Sequence, residues 1–156
     1  MKKSFVTLVV FVTALFVFAS ASYGQGKAKT GPDPSTIRDA DLEKDSLHNL
    51  EVARHYFKLK KAYVAAIKRC EEIDAGNPNF AKMDEVLFIA GQSSLRLAEN
   101  RGKQKTKEKT PEQLRLDARV YLSRLVAGYP NSAFYKQAET VLQELGGPIK
   151  AESGKP

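Results

Sequence analysis

The sequence has no tryptophan, one cysteine and two histidines in 156 residues. A single cysteine excludes an internal disulfide, and two histidines leave few side chains for metal or nucleophilic chemistry. The sequence also contains no glycine-rich phosphate loop and no serine nucleophile motif. We therefore predict a protein that is not an enzyme and that holds no cofactor and no metal.

Long hydrophobic runs are scarce, and the single clear one covers residues 5–19, which carry no charge. Its 15 residues fall short of the roughly 20 that a transmembrane helix needs. Lys2 and Lys3 precede the run and small residues follow it, which is the pattern of a secretory signal peptide. We predict cleavage after Ala21 or Gly24 and export to the periplasm, with retention as an anchor as the alternative.

Removal of residues 1–24 leaves 132 residues, enough for one domain. The segment carries two lysines and no acid, so the net charge of +7 falls to +5. No cysteine lies near the cleavage zone, so no lipid attachment is expected there. Export disfavours nucleic acid as a partner, and the positive charge favours acidic partners or an anionic outer membrane surface.

Apolar residues recur every three or four positions between residues 38 and 146, which predicts an all-α domain. The flanking segments 25–37 and 147–156 are rich in glycine, proline and polar residues and are predicted to be flexible. The expected helices cover residues 41–59, 61–75, 81–99, 111–127 and about 133–145. Thr110, Pro111 and Gln113 predict a capping box at the fourth helix, and Asn131 or Ser132 is expected to cap the fifth.

The two proline residues after the second and fourth helices reveal an internal repeat. Ala66, Cys70 and Ile73 precede Pro78 by 12, 8 and 5 residues. The same offsets from Pro130 give Ala118, Leu122 and Leu125. A small residue, two larger ones and then proline match the second half of a tetratricopeptide repeat. We predict an α-solenoid of two helical hairpins and a C-terminal capping helix, with an unrelated helical bundle as the alternative.

The second hairpin contains a basic insertion at residues 99–110. Its two helices are separated by 15 residues more than those of the first hairpin. Such a run is either a solvated loop or a contact with lipid phosphates or an acidic partner. The candidate anion-contacting residues are Arg101, Lys103, Lys105, Lys107 and Lys109.

The chain resembles the BamD-like tetratricopeptide lipoproteins of the outer membrane β-barrel assembly machinery, as a short form without the lipid-attached cysteine. The residues that carry the resemblance are 53–57, 62–67, 84–87 and 125–134. The resemblance implies a periplasmic, non-enzymatic scaffold whose partner is an envelope protein or an outer membrane assembly component. The alternative function is an envelope-surface protein that binds anionic lipid or lipopolysaccharide through the lysine-rich insertion.

In tetratricopeptide arrays the first helix of each repeat lines a concave groove for partner segments. Alignment of the two repeats predicts this groove from two sets of side chains. The set on the first helix is His48, Glu51, His55 and Lys58, and the set on the third is Glu85, Phe88, Gln92, Leu95 and Arg96. Phe88 and Leu95 are either exposed anchors for the partner or covered by the fifth helix.

His48, His55 and Cys70 carry the imidazole and thiol groups of the sequence. His48 and His55 lie seven residues apart, about 10.5 Å along a helix, which is too far for two ligands of one zinc ion. The two histidines are therefore predicted to be either ordinary surface residues or residues that make a pH-sensitive contact in the groove. Cys70 lies on an apolar face and is predicted to be a buried, unreactive side chain.

Overall fold

The structure is a computed structural model, and it describes residues 39–149. Within this range it contains five α-helices and no strand, which confirms the all-helical prediction. The helices are α1 (Ala40–His55), α2 (Tyr63–Gly76), α3 (Met83–Ala98), α4 (Pro111–Gly128) and α5 (Tyr135–Glu144). The predicted signal peptide, the leader and residues 150–156 lie outside the described residues. None of the helices in the described range is long and apolar enough to cross a membrane.

The helix boundaries follow local signals at most ends. Asp39 caps α1 by accepting hydrogen bonds from the backbone N–H groups of residues 41 and 42. At α4 the capping box is confirmed, since Thr110 accepts from the N–H of Gln113 and the Gln113 side chain accepts from the N–H of Thr110. As predicted, α2 and α4 end at glycine, two residues before proline.

Most helix ends lie within two residues of the prediction, and two local features differ from it. The first helix does not run unbroken to residue 59, because it changes at Tyr56–Lys60 into a π-turn that ends at Lys61, which has a left-handed φ of 50°. The fifth helix is not capped by Asn131 or Ser132, since it begins at Tyr135. The Ser132 hydroxyl instead accepts from the N–H of Phe134 and donates to Asp84 of α3 at 2.7 Å.

Each helix packs against the next one in the chain, and α3 lies in the middle of the series. The helices α3 and α4 approach each other closely, since a Cβ atom on Gly91 would stand only 2.7 Å from Cγ of Leu122. Bidentate ion pairs link alternate helices, with Arg124 of α4 bonded to Asp74 of α2 at 2.7 Å. The residues found at equal offsets before the two prolines are all buried, namely Ala66, Cys70, Ile73, Ala118, Leu122 and Leu125.

The insertion at residues 99–110 lies along the N-terminal end of α2. The α2 N-cap position is Ala62, whose side chain cannot accept a hydrogen bond. Gln104 supplies the missing acceptor, because its Oε1 atom lies 3.2 Å from the backbone N of Ala65. Gly102 packs so tightly against Tyr63 that a Cβ atom would come within 2.6 Å of the ring, and its φ of 106° also favours glycine.

The first residues of the expected C-terminal tail are hydrogen-bonded to α4. Arg119 donates to the carbonyl oxygens of Gly146 and Gly147, just beyond the end of α5. The N–H of Ile149 donates to the Ser123 hydroxyl at 2.9 Å. Residues 146, 147 and 149 are therefore held against α4.

Candidate partner-binding surface

The predicted groove residues of the first helix all lie on the surface. His48, Glu51 and His55 of α1 and Lys58 of the following π-turn are exposed. Leu47, Glu51 and Arg54 fall on one line along α1, because they are spaced by 4 and 3 positions. Lys58 follows in the π-turn, and its charge acts on Glu85, the carboxylate that also bonds Arg54. We call Leu47, Glu51, Arg54 and Lys58 the α1 stripe.

An ion pair joins the α1 stripe to α3. Nε and Nη2 of Arg54 donate to the two carboxylate oxygens of Glu85, each at 2.6 Å. This bidentate contact lowers the pKa of Glu85 and raises that of Arg54. In the alignment of the two predicted repeats, Arg54 of α1 corresponds to Gly91 of α3, and the long side chain of Arg54 reaches from α1 to α3. Glu85 therefore orients Arg54 and is not free to contact a partner.

Two predicted groove residues of α3 are covered. Phe88 is 7% exposed because its ring stacks on Phe134, with centroids 4.7 Å apart and planes 20° apart. Gln92, one turn further along α3, is also buried. The expectation that Phe88 is an exposed anchor is therefore wrong, because Phe134 covers its ring. Phe134 is the residue immediately before α5 and remains half-buried.

The last two predicted groove residues, Leu95 and Arg96, are half-buried. The Arg96 guanidinium carbon lies 4.4 Å from the ring centre of Phe57 and 5.5 Å from that of Tyr63. Nη1 of Arg96 also lies 3.4 Å from the Tyr63 hydroxyl. These cation–π contacts tie the end of α3 to the π-turn and to α2, so the role of Arg96 is mainly structural.

The basic insertion divides into paired and unpaired cations. Lys109 bonds Asp117 at 2.6 Å and Arg101 lies 3.3 Å from Glu99, so two of the five predicted contact residues have acidic neighbours. Lys103, Lys105 and Lys107 are exposed, and no acidic residue within residues 39–149 forms an ion pair with them. These three lysines leave uncompensated positive charge on the loop.

Leu42, Leu47, Leu59 and Leu116 are exposed and were not predicted as site residues, and two of them lie beside the residues described above. Leu47 is 37% exposed in the α1 stripe, and Leu59 is 70% exposed at the π-turn. The spacing of Leu47 from Glu51 and Arg54 was visible in the sequence and could have placed it in the groove set. Leu59 gave no such signal, since its exposure depends on the change from α-helix to π-turn.

Cys70 is buried, as predicted, at 1% exposure. Burial is the main cause that raises its thiol pKa to about 12, with nearby carboxylates adding to the effect. The thiol is therefore protonated and shielded at neutral pH. Among residues 39–149, no group of three His, Cys, Asp or Glu side chains is placed to hold a metal ion.

Comparisons with family models, with curated proteins and with solved structures found no match for this chain. The roles of its residues are therefore inferred from its own sequence and geometry. Of the nine predicted groove residues, the exposed ones are His48, Glu51, His55 and Lys58.

Proposed function

We propose that this chain is a non-enzymatic, tetratricopeptide-like module that binds a segment of an envelope protein. Two features of the fold support the repeat assignment. The helices pack in chain order, as successive antiparallel pairs of a solenoid do. The residues at equal offsets before Pro78 and Pro130 share the same buried environment, and Gly91 permits the close approach of α3 and α4.

The observation that carries the binding proposal is the α1 stripe. Leu47 is a partly exposed apolar side chain, acidic Glu51 lies one turn further along α1, and basic Lys58 follows in the π-turn. From Leu47 to Lys58 the stripe extends about 16 Å, enough for roughly five residues of an extended segment. The bond to Glu85 fixes Arg54 in the middle of the stripe, so little side-chain entropy is lost there when a partner binds.

The chemistry of the stripe defines the partner segment. An apolar side chain on the partner would pack against Leu47, a basic group would approach Glu51, and an acidic group would approach Lys58. Such a segment resembles an extended peptide with alternating apolar and charged residues. It binds by contacts along its length and not by insertion of a side chain between α3 and α5, where Phe134 already covers Phe88.

We further propose that the module acts in the periplasm, in or near outer membrane protein assembly. The support for this location is the signal-peptide pattern of residues 1–24 and the BamD-like residues named above. The partner would then be an envelope protein or a component of the assembly machinery.

The test places a photo-crosslinking amino acid at position 47 or 51 in expressing cells, and at position 116 on α4 as a control. Leu116 is also an exposed leucine on a helix, but it lies far along the chain from the stripe. We expect one partner to crosslink from positions 47 and 51 but not from 116. The purified partner should then lose affinity for Leu47→Asp and not for Leu116→Asp. Equal crosslinking from all three positions, or equal affinity of the two variants, would reject the stripe as the binding surface.

A further inference from the structure

Three lysines of the insertion are exposed while the residues between them hold the loop to the helices. Gln104 bonds the N-terminus of α2, and the half-buried Thr106 lines a small cavity with Val64 and Leu97. The exposed lysines are Lys103, Lys105 and Lys107. The loop therefore presents these lysines to solvent from a backbone that is attached to α2.

The same surface continues onto the π-turn. The backbone N of Lys103 donates to the carbonyl oxygen of Lys61 at 3.1 Å, which brings the loop beside the turn. Lys60 and Lys61 are exposed, and next to them Leu59 is 70% exposed, the highest value among the large hydrophobic residues of the described range. We call this combined surface the basic patch; its residues are Leu59, Lys60, Lys61, Lys103, Lys105 and Lys107.

We propose that the basic patch binds the surface of an anionic lipid bilayer, with its lysines at the phosphates and Leu59 inserted below them. A bilayer surface offers negative phosphates directly above an apolar layer. The basic patch has the matching groups, because its five lysines suit the phosphates and its one exposed leucine suits the apolar layer. An acidic protein surface would satisfy the lysines but would leave Leu59 in a polar environment.

Preorganisation of the loop strengthens this assignment. Gln104 and Lys103 hold the loop to α2 and the π-turn, and Gly102 permits close contact with Tyr63. The lysine backbones are thus already positioned before binding, so little backbone entropy is lost on contact with lipid. This inference goes beyond the proposed function and does not depend on it.

The experiment measures binding to vesicles of equal parts phosphatidylglycerol and phosphatidylcholine, and to vesicles of phosphatidylcholine alone. The patch variant is Lys103→Gln/Lys105→Gln/Lys107→Gln. The matched control is Lys44→Gln/Lys82→Gln/Lys136→Gln, which removes the same charge from three exposed lysines outside the patch. Every variant is the full chain as recovered from cells, with its N-terminal residue determined, so any contribution of residues 5–19 is common to all.

A juxtamembrane lysine contributes about fivefold in affinity, so the patch variant should bind anionic vesicles about 100-fold more weakly. The control should lose less than about threefold, because salt screens charges that lie more than a Debye length from the lipid. Leu59→Asn should lose about fivefold and keep the salt dependence of the native chain.

Equal losses in the patch and control variants would overturn the proposal, since they would mean that net charge alone attracts the lipid. Full binding by Leu59→Asn together with loss in the lysine variant would also overturn it, in favour of an acidic protein or another polyanion. Circular dichroism of each variant checks that the helices are intact. Leu47→Asp, which tests the α1 stripe, should bind vesicles normally, so failure of one proposal is distinguishable from failure of the other.

Discussion

Gly91 offers the sharpest test of how α3 and α4 pack. It lies in the interior of α3, where alanine would form helix better than glycine by about 1 kcal/mol. A Cβ atom at this position, however, would stand 2.7 Å from Cγ and 2.8 Å from Cδ2 of Leu122. Leu122 is fully buried and Cγ is not the flexible end of the side chain, so relief requires movement of the helix or of the whole leucine.

The two effects oppose each other, and the steric effect is the larger. Overpacking of a close-packed core costs about 1–3 kcal/mol. After subtraction of the gain in helix propensity, Gly91→Ala should destabilise the protein by about 1 kcal/mol. Leu122→Ala alone should cost about 2–5 kcal/mol, because it leaves a cavity in the same place. In that background the new methyl group has room, so Gly91→Ala should be neutral or stabilising.

The assay is urea denaturation of the four proteins of this double-mutant cycle, followed by helical circular dichroism. Gly128→Ala is the matched control, since nothing lies within 4 Å of a Cβ atom there and its φ is not positive. The control should stabilise the protein by about 0.4–1 kcal/mol. If Gly91→Ala stabilised the native protein as much as Gly128→Ala does, the close packing of α3 on α4 would be refuted.

Three further predictions follow from the described contacts. Gln104→Ala should cost about 1 kcal/mol, the value of a helix cap, and should speed hydrogen exchange at Ala65; unchanged exchange would exclude the cap. Arg54 holds the pKa of Glu85 below its ordinary value of 4.5, so their pairing stabilises the fold fully above that pH and less as the pH falls through the folded pKa. In Arg54→Met the free energy of unfolding should therefore fall less steeply as the pH drops below 4.5. A fall as steep as in the native protein would contradict the pairing. Cys70 should resist alkylation at pH 8 and react at once in denaturant, whereas equal rates would show that the thiol is accessible.

Local signals predicted most of the helical architecture. The capping box at Thr110 and Gln113 depends on residues three positions apart, so the sequence alone was sufficient. The helix ends before Pro78 and Pro130 likewise follow from the inability of proline to continue a helix. Burial of Cys70 followed from its place in the apolar periodicity.

The surface was harder to predict because it depends on contacts between distant residues. The repeat alignment allows Phe88 to be an exposed groove residue. Its burial depends on Phe134, which lies 46 positions later in the chain and stacks on its ring. Arg54 corresponds to Gly91 in the alignment of the predicted repeats, and its bond to Glu85, 31 positions later, is visible only in three dimensions. The cap that Gln104 provides to α2 also spans 39 residues and has no sequence signature.

That long-range cap limits how the chain can be divided. In a simple solenoid each hairpin interacts only with its neighbours, so repeats can be removed from one end or exchanged one at a time. Here a cut after Ala98 would preserve α1, α2 and α3 but would remove the acceptor for the Ala65 N–H and the loop that covers Tyr63. The loop before α4 is therefore coupled to α2, and a shortened chain or chimera that ends after Ala98 has to supply another acceptor for the Ala65 N–H.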